Sequence, residues 1–103
     1  ILRRVEATLI ERKQAAPGTS YAASLYAKGT DSICKKVAEE AAETIMAAKD
    51  GDSLHLVREV TDLWFHSMLL LTHFGLSIDD VVSEFRRREG ISGIEEKKSR
   101  TPQ

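Results

Sequence analysis

The sequence predicts an all-α protein, folded as an antiparallel bundle of four to five helices. Apolar residues recur at spacings of three and four through most of the chain, and glycine, proline and Asp-Gly pairs interrupt this pattern at short intervals. No segment competes as a strand pattern. A length of 103 residues corresponds to one domain. We expect residues 1–88 to form that domain and residues 89–103 to form a C-terminal tail.

The first two predicted helices are short. The first covers residues 2–15, where charged residues separate apolar ones at helical spacing, and a Pro-Gly pair ends it. The second covers residues 20–28, an alanine-rich segment that Ser20 can cap and that Gly29 can terminate.

The next two predicted helices are long and are joined by an Asp-Gly-Asp turn. Thr30 or Asp31 can cap the third helix, which runs to about Lys49. The fourth covers residues 54–74 and is the most apolar, with Asp52 or the following serine as its cap.

A fifth helix begins at Ser77, which can cap it. We expect its buried stripe to contain Ile78, Val81, Val82 and Phe85. From residue 89 onward the helical periodicity is lost, so we expect this segment to be ordered only where it docks on another surface.

Composition and charge limit the possible partners. Fifteen basic and sixteen acidic residues leave a net charge of −1, so there is no overall positive field to attract nucleic acid or an anionic membrane. The longest uncharged run, residues 67–78, is too short to span a bilayer. Cys34 is the single cysteine, which fits a cytoplasmic protein, and its place on the apolar side of its helix predicts a buried packing thiol.

Two acidic motifs lie on the third and fourth helices. They read KKVAEEAAE (residues 35–43) and EVTD (residues 59–62). Because each residue rotates a helix by about 100°, one face of the third helix carries Lys36, Glu39, Glu40 and Glu43. The corresponding face of the fourth helix carries Glu59, Asp62 and His66.

Both acidic faces lie beside the apolar arcs of their helices, so antiparallel packing would bring the carboxylates together. Anions held so close raise one another's pKa and destabilise the fold unless a cation neutralises them. Oxygen donors alone favour Mg²⁺ or Mn²⁺ over Zn²⁺. A single glutamate pair on a helix is most simply a solvated surface. Two acidic pairs on helices joined by a tight turn instead indicate a metal site.

The motifs and their flanking segments resemble a known family. GTDSICKKVAEEAAETIMAAKDGD and LVREVTDLWFHSMLLL, together with SYAASLYAKG and GLSIDDVVSEFRRR, are similar to the phosphoribosyl-ATP pyrophosphatases. These belong to the all-α nucleoside-triphosphate pyrophosphohydrolases, which are similar to the MazG proteins. The resemblance covers about residues 20–88. It implies Mg²⁺-dependent hydrolysis of phosphoribosyl-ATP, the second step of histidine biosynthesis, by a homodimer or higher oligomer with its active site near the subunit interface.

The resemblance also implies roles for individual residues. The metal ligands would be Glu40, Glu43, Glu59 and Asp62. The catalytic residues would be Glu39, which completes the metal site or orients the attacking water, and Lys36, which lies near the phosphates. Further candidates for substrate contacts are Lys28, Lys35 and Tyr21.

The chain departs from the family pattern at Ser32, where a basic residue is frequent, and at Ala38, where glycine is frequent. Two other functions are compatible with the sequence: a MazG-like house-cleaning enzyme that acts on other nucleoside triphosphates, and a non-catalytic helical dimerisation module. His66 could contact a ligand carboxylate or the substrate, although a structural hydrogen bond is its simpler role. The apolar segment 64–71 predicts core or subunit-interface packing.

Overall fold

The computed structural model describes residues 1–91 and 93–100. In this part of the chain there are six α-helices and one 3-10 turn and no strand, so the predicted all-α class is confirmed. The elements are α1 (Leu2–Arg12), the turn Pro17–Thr19, α2 (Tyr21–Lys28), α3 (Thr30–Asp50), α4 (Ser53–His73), α5 (Ile78–Arg88) and α6 (Gly93–Arg100). Within the described residues, none of these helices has the length and apolarity needed to cross a membrane.

Helices α3 and α4, of 21 residues each, form the antiparallel hairpin on which the rest of the fold is built. Gly51 ends α3 with a φ of 77°, a left-handed conformation that glycine adopts without a steric penalty. The Asp52 carboxylate then accepts the backbone N–H of His55 at 3.1 Å and caps α4. Because this turn is so short, the two helices face each other along their length.

The core lies where α1 and α2 pack against this hairpin. It contains Leu9 of α1, Leu25 of α2, Ile33 of α3 and Met68 and Leu69 of α4. Ile33 and Leu69 are completely buried. These packed helices form the rigid support for the polar face of the hairpin.

The N-terminal end of helix α5 is attached to α1. The buried carboxylate of Glu6 accepts the backbone N–H of Ile78 at 2.9 Å, and Arg3 forms an ion pair with Asp79 at 2.9 Å. Ser77 caps the helix, as the sequence predicts, and forms a reciprocal capping box with Asp80.

The stripe predicted to be buried on α5 is largely exposed, so that prediction is wrong for the single chain. Ile78 packs against the core, but Val81, Val82 and Phe85 are 40%, 42% and 67% exposed. Helical periodicity identifies which residues share an apolar face. It does not show whether another surface packs on that face and buries it.

Three further expectations are corrected. Cys34 is exposed, because the adjacent Ile33 occupies the buried position and one residue rotates the side chain by about 100°. The N-cap of α3 is Gly29, so neither Thr30 nor Asp31 has this role. The described residues form six helices where the sequence predicted four to five, since α6 forms in the predicted tail.

Helix α6 is rich in glutamate and lysine, which are good helix formers, so local propensity favours the helix without an apolar stripe. Residue 92 and residues 101–103 of the predicted tail lie outside the described residues. The division between domain and tail after residue 88 stays a prediction.

Candidate metal centre

Three carboxylates lie close together on the facing sides of α3 and α4. Glu40, Glu43 and Glu59 each offer one oxygen, and these three oxygens all lie within 4.8 Å of one another. The register of the hairpin explains this placement. Glu43 and Glu59 are equally far from Gly51 along the chain, on opposite sides of the turn, and the same is true of Glu40 and Asp62. Antiparallel helices with so short a turn therefore bring the two acidic motifs to the same level.

Asp62 is exposed and does not belong to the close set of three oxygens. Its charge nevertheless helps to raise the pKa of both Glu40 and Glu59, so the carboxylate is near the cluster. The structure thus brings three of the four predicted ligands together and places the fourth at the edge.

The cluster of three carboxylates lowers the stability of the fold when no cation is bound. The pKa of Glu40 is raised to about 7, first by burial and then by the nearby charge of Glu43 and a hydrogen bond with it. The pKa of Glu59 is also raised, first by a hydrogen bond with Glu43 and then by burial. One oxygen of each of these two carboxylates, Oε2 of Glu40 and Oε2 of Glu59, is buried and has no hydrogen-bond partner in the described part of the chain.

Buried polar atoms are nearly always satisfied, so two orphaned carboxylate oxygens in one cluster require an explanation. A divalent cation supplies one, because it removes the mutual repulsion and takes oxygen ligands directly. The donors are all carboxylate oxygens, a set suited to Mg²⁺ or Mn²⁺ and not to Zn²⁺. The residues present therefore fit a hard divalent ion.

Lys36 lies at the edge of this cluster on α3. Its ammonium group is 3.1 Å from Glu39 and 3.8 Å from Glu40. The hydrogen bond with Glu39 raises the pKa of Lys36, so the side chain remains a cation. Glu39 is half-buried and points to Lys36, outside the close set of three carboxylates.

Tyr21 reaches the cluster from α2. Its hydroxyl group is 2.7 Å from Nε2 of His66, and Nδ1 of His66 is 2.7 Å from the carbonyl oxygen of Asp62. His66 is buried and binds the backbone of Asp62, not its carboxylate, which is the structural hydrogen bond considered from the sequence. Lys28 and Lys35 are exposed, and the structure describes no contact between either of them and the cluster.

Sequence reasoning missed one neighbour of the cluster. His55 is exposed near the start of α4, and its Nε2 lies 3.3 Å from a carboxylate oxygen of Glu59. The signal was available, since the two residues are four positions apart on one helix and such residues face each other. His55 can therefore orient Glu59.

A helical hairpin that holds close, partly buried carboxylates defines an all-α protein with a candidate divalent-metal site. The sequence matches the model of the family described as phosphoribosyl-ATP pyrophosphohydrolase over residues 2–89, and the chain belongs to that family. The resemblance recognised from the acidic motifs is confirmed.

Relatives from three bacteria support the same assignment, and each is named phosphoribosyl-ATP pyrophosphatase. The protein of Aromatoleum aromaticum is 78% identical over 101 residues, which cover 98% of this chain and 94% of the relative. The protein of an Azoarcus species is 78% identical over 100 residues, which cover 97% of this chain and 94% of the relative. The protein of Chromobacterium violaceum is 64% identical over 102 residues, which cover 99% of this chain and 94% of the relative.

Proposed function

We propose that this protein hydrolyses phosphoribosyl-ATP to phosphoribosyl-AMP and pyrophosphate, the second step of histidine biosynthesis. The observation that carries the proposal is the close set of three carboxylates on the α3–α4 hairpin of a chain that belongs to this family. The reaction breaks the anhydride bond between the α and β phosphates and consumes one water molecule. It needs positive charge next to the polyphosphate and a base next to the water.

Glu40, Glu43 and Glu59 would hold Mg²⁺, with Asp62 as the fourth ligand and Mn²⁺ as an alternative ion. The orphaned oxygens of Glu40 and Glu59 support this assignment. When bound, the ion would supply positive charge to the phosphate oxygens and lower the pKa of water.

The remaining polar residues have separate proposed roles. Glu39 would orient the attacking water and accept its proton, because its carboxylate lies beside the ligand set without belonging to it. Lys36 would donate hydrogen bonds to a phosphate, since its ammonium group lies beside the ligand set, 3.8 Å from Glu40. Tyr21, Lys28 and Lys35 remain candidates for substrate contacts. No covalent nucleophile is needed.

A substrate panel tests the reaction itself. Pyrophosphate release should be faster from phosphoribosyl-ATP than from dATP, dCTP or ATP at equal concentrations, in the presence of Mg²⁺. Preference for a simple deoxynucleoside triphosphate would favour the MazG-like alternative instead. Release from none of these substrates would favour the non-catalytic dimerisation module.

Metal binding should appear as a pH-dependent stabilisation. The pKa of Glu40 is raised from 4.5 to about 7 in the folded protein, so the folded state holds an extra proton between those values. The stability from this proton is present below pH 4.5 and is lost as the pH rises through about 7. The metal-free protein should therefore melt at a lower temperature at pH 8 than at pH 5.

Mg²⁺ should reverse this loss, because it replaces the proton as the neutralising charge. At a concentration about 100 times its Kd, it should stabilise the fold at pH 8 by about 2.7 kcal/mol. At pH 5 the gain in stability from Mg²⁺ should be small, because the proton on Glu40 already neutralises the charge. Thermal melts followed by circular dichroism, with EDTA or Mg²⁺ at matched ionic strength, measure both effects. A melting temperature that Mg²⁺ raises no more than Na⁺ does would contradict the metal site.

We also propose that the protein is at least a homodimer and that a second copy covers the outer face of α4. A groove of about 570 Å³ runs between α1 and α4, and nearly all its lining is apolar. Val57 and Trp64, which line it, are 61% and 57% exposed. Exposed apolar patches of this kind mark interaction surfaces in small proteins.

By the rotation of about 100° per residue, Val57 and Trp64 lie on the side of α4 that points away from Glu59. A copy seated on the groove would therefore cover the outer side of the hairpin, away from the carboxylate cluster. For the cellular compartment, we propose the cytoplasm, because Cys34 is an exposed thiol that a reducing environment keeps reduced.

A further inference from the structure

The two carboxylate oxygens of Glu59 have different surroundings. Oε1 lies 3.3 Å from Nε2 of His55, whereas Oε2 is buried and has no hydrogen-bond partner among the residues that the structure describes. The Glu59 side chain is 14% exposed and the His55 side chain is 47% exposed, so their contact lies at the rim of the carboxylate cluster. One oxygen of Glu59 therefore has a neighbour that can donate to it, and the other is available to a ligand.

The backbone at the start of α4 fixes the place of His55. The Asp52 carboxylate accepts the backbone N–H of His55 at 3.1 Å, and the Asp52 carbonyl oxygen accepts the backbone N–H of Leu56 at 2.9 Å. Residues four apart on a helix face each other, so a ring that leaves the capped first turn meets Glu59 one turn later. The local geometry of α4 is thus sufficient to place the ring beside Oε1.

The chemistry of this contact determines its direction. A carboxylate oxygen can only accept, so Nε2 of His55 is the donor. Both the neutral ring with its hydrogen on Nε2 and the charged ring can fill this role. The last torsion of a glutamate side chain is broad, so the chain alone does not determine which oxygen faces a ligand. A hydrogen-bond donor beside one oxygen does determine it, as donors do for other metal-ligating carboxylates.

We propose that His55 is a positioning residue for Glu59, and that it holds Oε1 at the rim so that Oε2 alone binds the divalent cation. This inference rests on the proposed function, because the cation belongs to that site. Glu40, Glu43 and Glu59 each offer one oxygen to the close set. With a single oxygen from Glu59, an octahedral Mg²⁺ ion keeps one more position for water or phosphate than a two-oxygen contact would leave.

Titration of the metal-free protein with Mn²⁺ at pH 8 tests the proposal, with the electron paramagnetic resonance signal of the free ion as the measurement. His55→Leu removes the donor and should raise the Kd for Mn²⁺ about tenfold, since loss of a partner of a metal ligand commonly costs about 10–100-fold in affinity. His55→Gln has a side-chain amide that can donate from nearly the same place, so it should restore most of the affinity. An equal Kd for the wild type and His55→Leu would overturn the proposal.

Arg58→Gln is the matched control. Arg58 is an exposed basic residue next to Glu59 in sequence, but a rotation of about 100° directs it to another side of α4. Removing its positive charge should not weaken the binding of a cation. A loss of affinity equal to that of His55→Leu would contradict positioning, because any basic residue of α4 would then have the same effect. Tighter Mn²⁺ binding by His55→Leu would contradict it too, since the ring would then act only as a repelling charge.

A crystal structure with Mn²⁺ gives a readout that does not depend on activity. Oε2 of Glu59 should bind the ion while Oε1 keeps its contact with His55, and in His55→Leu the carboxylate should turn or bind through both oxygens. An ion bound by Oε1 in the wild type, or an unchanged carboxylate in His55→Leu, would refute the positioning.

The proposed function and the positioning of Glu59 can fail separately. If the wild type releases no pyrophosphate from phosphoribosyl-ATP while the Mn²⁺ results are as expected, the proposed function fails and the positioning stands. If it releases pyrophosphate while His55→Leu binds Mn²⁺ as tightly as the wild type, the positioning fails and the proposed function stands. No binding of Mn²⁺ by the wild type would overturn the positioning together with the metal site.

Discussion

Substituting Glu40→Gln should lower the rate of pyrophosphate release from phosphoribosyl-ATP by at least about 1000-fold, which corresponds to about 4 kcal/mol of transition-state stabilisation. Glu40 is the most buried of the three close carboxylates, at 6% exposed, and one of its oxygens has no hydrogen-bond partner among the described residues. Glutamine has nearly the same shape but carries no charge. It therefore removes the ligand while leaving the packing of the hairpin intact.

The same substitution should stabilise the metal-free protein at pH 8. The Glu40 carboxylate is held close to Glu43 with its pKa raised to about 7, so ionising it opposes folding at that pH. An amide in its place has no charge to desolvate and can donate a hydrogen bond to the neighbouring carboxylate. Loss of activity together with a gain in stability is the signature of a ligand held for function.

Glu11→Gln is the matched control for this experiment. Its carboxylate is 74% exposed on α1 and pairs with Arg12 at 3.6 Å, a contact of little energetic weight. It should leave both the rate and the melting temperature unchanged. Undiminished activity in Glu40→Gln, or a fall in stability like that of a damaged core, would remove the physical basis of the proposed metal site.

Substituting Trp64→Glu should dissociate the proposed dimer, weakening the association at least about 100-fold, or about 2.7 kcal/mol. Tryptophan residues at the centre of an interface contribute a disproportionate share of its binding energy, and a buried unpaired carboxylate adds a desolvation cost. Trp64 is 57% exposed in the single chain, so its loss should not unfold the monomer. Light scattering across a protein dilution series measures the effect.

Ile94→Glu is the control, because Ile94 is 73% exposed on α6, outside the groove. An unchanged mass for Trp64→Glu, or equal dissociation by the control, would show that the groove between α1 and α4 is not the interface.

Much of the hairpin could be predicted because its determinants are local. Ser20, Asp52 and Ser77 cap helices as their residue types indicate, and Gly51 ends α3 as the Asp-Gly-Asp turn suggests. Helical rotation then assigns Glu40 and Glu43 to one face, and a short turn brings that face opposite Glu59. Each of these steps involves residues that are close in sequence.

Two of the predictions that failed concern the burial of side chains. Val82 and Phe85 form an apolar stripe on α5, yet nothing in their spacing indicates whether a single chain covers it, and it remains exposed. Cys34 was assigned to the wrong side of α3 for a related reason. An apolar arc read from sequence is wide, and only packing against Leu9 and Leu69 decides that Ile33 occupies its centre.

The sequence by itself therefore determined helices α1 to α5, the caps of α2, α4 and α5 and the two acidic motifs that meet across the turn, because backbone periodicity and turn geometry act over a few residues. Only the tertiary structure decided that Asp62 lies at the edge of the carboxylate set and that the Tyr21–His66 hydrogen bond connects α2 to α4. Contacts of that kind depend on how helices distant in sequence pack and how far their side chains reach. Such packing is a property of the whole domain, so no short segment contains it.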